Sequence, residues 1–360
     1  MSRPLRVAHL PARTPYVRKI VADDYGIVNA TATRHGTVPA ALTAQWLLDR
    51  RPFDWFDVLH LHHVEFDEPV LLERVLSACD DAGVRIVFTL HDVWPLFTTI
   101  DDYRQRLRLI AGTRASWIGL TAASVDALPA LLDTVPPVTV IPHGYVVSPD
   151  DLAPLRRATG RNAPVYLMYG ALRPNREHLA TLANWSLFLT DPDVRLRLLL
   201  RGLSPIDFSA NRAADVLGVV RADRRIEVTM RAYPTDREVV DAGLRSDALL
   251  LPYLHASHSG QLEFAFDLNL LPVCSSVGFL KDQYERHKAL VAEPVWIDWS
   301  DCPPFLLGER FVAALAEADA ALAESGPREV SADFLAYRRE EHCQFLDAHR
   351  AIYNGESIAS

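Results

Sequence analysis

Two arginines, Arg173 and Arg176, stand in the polar turn of YGALRPNREH (Tyr169–His178), just past the apolar run Val165–Tyr169 and Gly170. Paired cations at the exit of a strand suit an anion, because arginine can fork onto two oxygens of a phosphate or carboxylate. The same side chains could be solvated surface charge, the usual fate of arginine. A second anion-ready feature lies in HASHSGQLEFAFDLNLLPV (His255–Val273), where Ser259 and Gly260 precede a helical pattern through Leu262, Phe264, Phe266 and Leu268. First-turn amides are unpaired and carry the positive end of the helix dipole, and glycine lets an anion approach the backbone. A plain serine N-cap would read the same way. Glu263 and Asp267 share a face of that helix and repel unless one meets a ligand or a cation.

Histidines supply the other reactive groups. His60, His62 and His63 lie in DVLHLHHVEFD, His91-Asp92 in RIVFTLHDVWP, and His143-Gly144 in VTVIPHGY; His258 precedes Ser259. Zinc sites need spaced ligands completed by a carboxylate or thiolate, which the His60–His63 run lacks, so we expect no metal. His91-Asp92 could be part of a nucleophilic triad, but no G-x-S-x-G elbow supplies the nucleophile.

For any of these groups to act together, the elements must set them on one edge. Strand-like runs occur at Arg6–Leu10, Val58–Leu61, Val84–Leu90, Trp117–Thr121 and Val138–Ile141. They resume at Val165–Tyr169, Val194–Leu200, Ile226–Thr229, Ala248–Leu251, Pro272–Ser275 and Leu290–Ala292. Helical patterns alternate with them; Leu71, Leu72, Val75, Leu76 and Cys79 fall on one face. Strands alternating with helices predict βαβ units and parallel sheets. Ser148–Ala163 is polar and proline-flanked and reads as a linker. The spacing predicts helices over Leu306–Ala323, stopped by Ser325-Gly326-Pro327, and over Phe334–Tyr353, stopped by Asn354-Gly355. The expected domains are 1–150 and 151–330, with 331–360 a C-terminal helix crossing back to the first. The reactive residues then follow strand ends, where ligands of doubly wound sheets bind. If the two edges face each other, they line one cleft.

Composition sets the class. The chain has 360 residues, 49% hydrophobic and 23% charged, ordinary for globular domains. A net charge of −9 argues against nucleic-acid or anionic-membrane binding. Cys79, Cys274, Cys302 and Cys343 form no C-x-x-C pair, so reduced thiols in a cytoplasmic protein are expected. Neither a signal peptide nor a membrane-length apolar run is evident.

The order THDVWP, IPHGY, GALRPNR and LLPYLHASHSG resembles the retaining GT-B glycosyltransferases of the group-1/family-four type. Many of these carry HDxWP after a first-domain strand; one branch carries G-x-I-R-P-Y-K at the first loop of the second domain and LLPY…SG at the donor site. HLPARTPYVR, HSGQLEFAFDLN and GFLKDQ are similar to HLPA..PYVR, HSGWLEACxDLG and GxxxxQ of uncharacterised actinobacterial members. The resemblance spans nearly the whole chain. It implies an α/β GT-B fold, two Rossmann-like doubly wound parallel-sheet domains facing an interdomain cleft. It further implies a hexosyltransferase-like enzyme, retaining and metal-independent, that takes a nucleotide-diphosphate sugar as substrate, needs no cofactor, and serves a small-molecule or glycan acceptor.

Residue by residue, the resemblance puts Arg173 and Arg176 on the donor diphosphate beside Gly170, with Ser259, Gly260 and Gln261 offering amides. It puts His91 near the donor sugar, so that His91, Arg173 and Arg176 are the catalytic set. Glu263 matches, one register off, the acid that contacts the ribose. His62, His63, Asp92 and His143 fall on the acceptor side. The chain also departs from the pattern. Ser257 and His258 occupy the region of the first acid of E-x7-E, so His258 would meet the sugar instead. PARTPYVR replaces the glycine pair after the first strand, and Asn269 replaces a helix-end glycine. These departures motivate a second reading, a silent GT-B protein that binds a nucleotide sugar or a partner enzyme. A third, a GT-B epimerase, needs a general-acid carboxylate that does not stand out. Base selectivity would sit in loops such as Gly202–Asp207 or Tyr233–Asp236, where the sequence offers no code.

Overall fold

The computed structural model describes residues 4–11, 14–33, 36–155, 163–202, 213–299, 307–325 and 328–356. Residues 156–162 of the expected Ser148–Ala163 linker, most of the Gly202–Asp207 loop, Cys302, Leu306 and the Gly326-Pro327 stop lie outside them.

Short apolar runs become strands because both faces of a parallel strand are covered, so each reads as a nearly continuous hydrophobic stretch. The first half contains β1 (Leu5–Leu10), α1 (Pro15–Arg18), β2 (Tyr25–Ile27), the hairpin β3 (Ala32–Thr33) and β4 (Gly36–Thr37), and α2 (Ala44–Arg50). It continues with β5 (Val58–Leu61), α3 (Pro69–Asp81), β6 (Arg85–Leu90), α4 (Ile100–Ala111), β7 (Ser116–Gly119), α5 (Ala122–Asp126) and β8 (Val138–Val140). The order β2-β1-β5-β6-β7-β8 is parallel throughout. His9 pairs with His60 in that register, so two imidazoles share one face of the sheet.

The second half opens with α6 (Pro149–Leu152), β9 (Val165–Gly170), α7 (His178–Phe188), β10 (Arg195–Arg201), α8 (Ala213–Ala222), β11 (Ile226–Arg231) and α9 (Asp236–Leu244). Then come β12 (Ala248–Leu251), α10 (Gly260–Asp267), β13 (Leu271–Ser275), α11 (Leu280–Glu285), β14 (Val295–Ile297), α12 (Leu307–Ser325) and α13 (Ala332–Asn354). Its sheet, β11-β10-β9-β12-β13-β14, is also parallel. Both sheets reverse direction of growth once, between β1 and β5 and between β9 and β12, which are the topological switch points.

Contacts divide the chain into a unit of residues 1–144 and 340–360 and a unit of residues 145–339. The first unit's core gathers Val7, Val58, Val87 and Ile118 under Phe345, Ile352 and Tyr353 of α13. Phe334, at the start of α13, belongs instead to a core of the second unit, with Leu249, Leu262 and Phe266. The boundary falls at Gly144/Tyr145, ahead of the expected linker. Ser148 there caps α6, and Val147 and Leu152 are buried in the second unit.

Three strand readings differ from the sequence expectation. Leu290–Ala292 is not a strand: the amides of Leu290 and Val291 both turn back to His287 O, and the sixth strand starts only after Pro294. Tyr25–Ile27, too short to show a periodicity, pairs with β1. Thr121, expected in a strand, instead caps α5 through a reciprocal bond with Ser124.

The turn from β13 into α11 depends on one glycine. Gly278 has φ +57°, and a Cβ there would lie 1.6 Å from the Ala256 carbonyl oxygen. The obstacle is main chain and cannot rotate away. Gly278→Ala therefore lowers the unfolding free energy by about 3 kcal/mol, read from the urea midpoint. A change below about 0.5 kcal/mol would refute this placement.

Candidate functional site

In the second unit the loop after β9 and the loop after β12 are joined at the switch point. Glu177 N donates to Pro252 O at 2.9 Å and Leu254 N to Asn175 O at 2.8 Å, with an antiparallel bridge between Arg176 and Tyr253. Arg176 is thereby placed by backbone. Its Nη2 donates to Tyr253 Oη at 2.9 Å, its Nη1 to Tyr169 O at 3.3 Å, and its guanidinium lies 4.7 Å from the Tyr253 ring centroid. Tyr253 Oη is 2.8 Å from Ser259 Oγ, and that oxygen accepts from Leu262 N at 3.1 Å, which makes it the N-cap of α10. A continuous chain, Arg176–Tyr253–Ser259, thus ties the cation to the helix N-terminus.

Gln261 completes the arrangement by donating from Nε2 to Tyr169 O at 2.8 Å. Gly170 has φ +109°, and a Cβ there would sit 3.1 Å from Gln261 Nε2 and 3.6 Å from Arg176 Nη1. Glycine is needed here both for the backbone and for the space. Among the described residues, the buried polar atoms at this edge with no hydrogen-bond partner include Arg176 Nε, Gln261 Oε1 and Asn175 Oδ1. Such atoms are rare in folded proteins and call for an explanation. Arg173, half-buried, accepts Arg176 N on its carbonyl at 3.1 Å and so lies in the same turn. His258 is half-buried, one residue before the cap. A strand-end arginine, a capped helix N-terminus and an adjoining glycine can stabilise negative charge.

Glu263 sits apart from this group. It is 3% exposed, with Oε1 accepting from Gln283 Nε2 at 2.8 Å and Oε2 facing Arg338 Nη2 at 2.5 Å and His287 Nε2 at 3.3 Å. A ribose contact by this carboxylate would have to displace those partners. Gln283 also bonds both the amide and the carbonyl of Ser259, at 3.0 and 2.9 Å, so Glu263 holds the helix start from behind. Gln283 closes the GFLKDQ stretch. Arg338 and Lys19 carried no sequence signal that singled them out; Tyr253 lay in the LLPY stretch but was given no role of its own.

In the first unit, His62 and His63 follow β5, and His91 and Asp92 follow β6. His62 Nδ1 is 3.1 Å from His91 Nε2, and His63 stacks on His91 with ring centroids 4.8 Å apart. Tyr16 meets His91 edge-on at 4.9 Å. His143 is held by buried Lys19, whose Nζ donates to the His143 carbonyl. Asp92 accepts the Tyr103 hydroxyl on its carbonyl.

Behind these lies a polar core that the sequence reading did not anticipate. His9, His60 and His349 are fully buried with Tyr16 and Tyr353. Nitrogens of His9, His60 and His62 come within 4.8 Å of one another, close enough for a metal. Those of His60 and His62 are, however, already engaged: His60 by Tyr353 Oη and Thr89 Oγ1, both at 2.7 Å, and His62 by His9 and His91. Burial lowers His9 to about 3 and His349 to about 4, and pushes His60 and His62 well below the usual histidine range.

These shifts fix a pH dependence. Above pH 6.5 the histidines are neutral whether the chain is folded or not, and they cost nothing. Below it the unfolded chain takes up protons that the folded chain refuses, so stability falls until the folded-state values are reached. At pH 5 His9 and His349 each account for about 2 kcal/mol. Urea midpoints should hold steady from pH 8 to 7 and drop steeply from 6.5 to 5. A flat profile across that lower window would contradict the buried cluster.

No protein-family model and no curated protein sequence matches the chain. Solved structures resemble it along its length. A sucrose-phosphate synthase from Thermosynechococcus elongatus superposes with TM-score 0.67 at 11% identity, over 99% of this chain and 100% of that one. HepE of Anabaena, in complex with UDP and glucose, gives TM-score 0.67 at 12% identity, over 98% and 100%. A UDP-forming α,α-trehalose-phosphate synthase from Burkholderia vietnamiensis gives 0.55 at 13%, over 82% and 72%. At such identities the likeness is one of fold: α/β, with two Rossmann-like parallel six-stranded sheets of the GT-B glycosyltransferase type.

Proposed function

We propose that this chain is a glycosyltransferase that moves a sugar from a nucleotide-diphosphate donor to an acceptor. The observation that carries the reading is the Arg176–Tyr253–Ser259 chain at the β9/β12 switch point, with unsatisfied Arg176 Nε and Gln261 Oε1 beside a helix start. In this reading Arg173, Arg176 and the amides of Gly260 and Gln261 hold the diphosphate, Gly170 leaves room for it, and His258 meets the sugar. Breaking the anomeric carbon–phosphate bond builds negative charge on the diphosphate. Groups fixed in advance stabilise that charge more in the transition state than in the ground state.

One such donor contributes about 3 kcal/mol, so two arginines and a helix start suffice without a divalent cation. Retention belongs to the same proposal, with the leaving phosphate taking the acceptor proton. From the first unit, His91 is proposed as the group that hydrogen-bonds sugar, and His62, His63, Asp92 and His143 as the acceptor side. Glu263 enters indirectly, through Gln283 and Ser259. No described helix is long and apolar enough to cross a membrane. Buried free Cys79 and Cys274 suit the proposed cytoplasmic setting.

UDP is the first nucleotide to try, since HepE was solved with it. In a melting screen of UDP, GDP, ADP and dTDP, one nucleotide should raise the midpoint, because a ligand selective for the folded state stabilises it. The matching nucleotide sugar should then be hydrolysed slowly or transferred. No shift with any of the four would sink the proposal. The engaged carboxylate of Glu263 favours a second reading, a binder without transfer activity. Binding with no turnover across the sugar panel would select it.

A further inference from the structure

Three imidazoles form a hydrogen-bonded row in the first unit. His9 Nδ1 lies 2.9 Å from His62 Nε2, and His62 Nδ1 lies 3.1 Å from His91 Nε2. The row is held at its inner end: Asn29 Oδ1 accepts His9 N at 2.8 Å, and Asn29 Nδ2 donates to His9 O at 2.9 Å. We infer that His9 and His62 are positioning residues that fix the His91 proton on Nδ1, making His91 a hydrogen-bond donor through that atom.

Each neutral imidazole has one N–H and one lone pair, and each N···N contact needs one proton between the two nitrogens. The protons of the row must therefore all point the same way. Directed outward, His9 donates from Nδ1 to His62, His62 donates from Nδ1 to His91 Nε2, and the His91 proton sits on Nδ1. Directed inward, His91 donates from Nε2, His62 from Nε2, and the His9 proton sits on Nε2. The inner end decides. His9 Nε2 is buried and has no partner. Inward order strands a buried N–H there, whereas outward order strands only a lone pair. An orphaned buried N–H is the rarer defect, and an under-satisfied acceptor is better tolerated. Burial of His9 and His62 in the neutral form is consistent with this counting.

The consequence for chemistry rests on the proposed sugar contact of His91. With its proton on Nδ1 and its lone pair given to His62, His91 has no free basic nitrogen. It then serves as a hydrogen-bond donor and not as a general base.

The test is long-range nitrogen–proton NMR of the imidazoles in the intact protein labelled at histidine, with His91 identified by the signals lost in His91→Gln. The expected spectrum has His9, His62 and His91 all in the Nδ1–H tautomer. In His9→Phe the row loses its inner donor, and His91 should become a mixture of both tautomers. A wild-type His91 in the Nε2–H form overturns the inference, whether or not the variant folds. So does stoichiometric zinc on His9, His60 and His62 in the isolated protein, which would take the lone pairs the row requires. None of these readouts depends on transfer activity, so failure of the proposed function and failure of the tautomer assignment are separable.

Discussion

Replacing Arg338 by leucine lowers the unfolding free energy by about 3–5 kcal/mol, the cost of removing one partner from a buried ion pair. Arg338 is fully buried, with Nη2 at 2.5 Å from Glu263 Oε2 and 2.9 Å from Asp267 Oδ1. Asp267 uses its other oxygen to accept Val146 N at 2.7 Å and Val147 N at 2.9 Å, at the very start of the second unit. Burial raises the Asp267 carboxyl, and Arg338 works against that rise. Without the guanidinium two buried carboxylates face each other, and at least one must take up a proton. The loss should appear as a lower urea midpoint.

The triple change Glu263→Gln, Asp267→Asn, Arg338→Met separates the lost pair from lost packing. It should recover much of the stability, since neutral replacement of a whole buried ion group is often tolerated. A loss under about 1 kcal/mol in Arg338→Leu would show that the charges are not sequestered as described.

Arg176→Ala should weaken nucleotide binding and reduce turnover at least 100-fold, the scale of losing one fixed donor at a developing charge. The fold should survive, because the loops are joined through the main chain of Asn175, Glu177, Pro252 and Leu254 rather than through the guanidinium. Arg176→Lys is the informative companion. It keeps the charge but loses the fork and the guanidinium's contact with the Tyr253 ring. Binding should fall less than in the alanine variant, while turnover stays low. Wild-type affinity for UDP and the other three nucleotides in Arg176→Ala would remove the diphosphate site from this edge.

Much of this architecture is legible in one dimension. Strands buried on both faces show as nearly continuous apolar runs, which is why Ala248–Leu251, and Val58–Leu61 with its one histidine, agree to the residue. Residues at strand exits are marked by the run that precedes them, so His91, Gly170 and Arg176 could be placed at sheet edges. A cap is a local event, and Ser259 could be read as one. The Leu290–Ala292 reading failed because a short apolar run in a turn has the same composition as a short strand.

Side-chain partners are a different matter. Glu263 and Asp267 share a helix face in any α-helix, and their spacing says that a cation is wanted. It does not say that Arg338, from the far end of the second unit's chain, supplies it. His9 sits beside His60 only because β1 and β5 adopt one register, and a shift of one residue would turn either side chain to the other face. The sequence by itself determined the α/β alternation, the strand ends and the capped helix start, because hydrophobic period and capping act over a few residues. Only the tertiary structure decided which charges pair, that three histidines form a row, and that Arg176 reaches Ser259 through Tyr253. Those facts depend on strand order and register, which bring together residues that no local pattern connects.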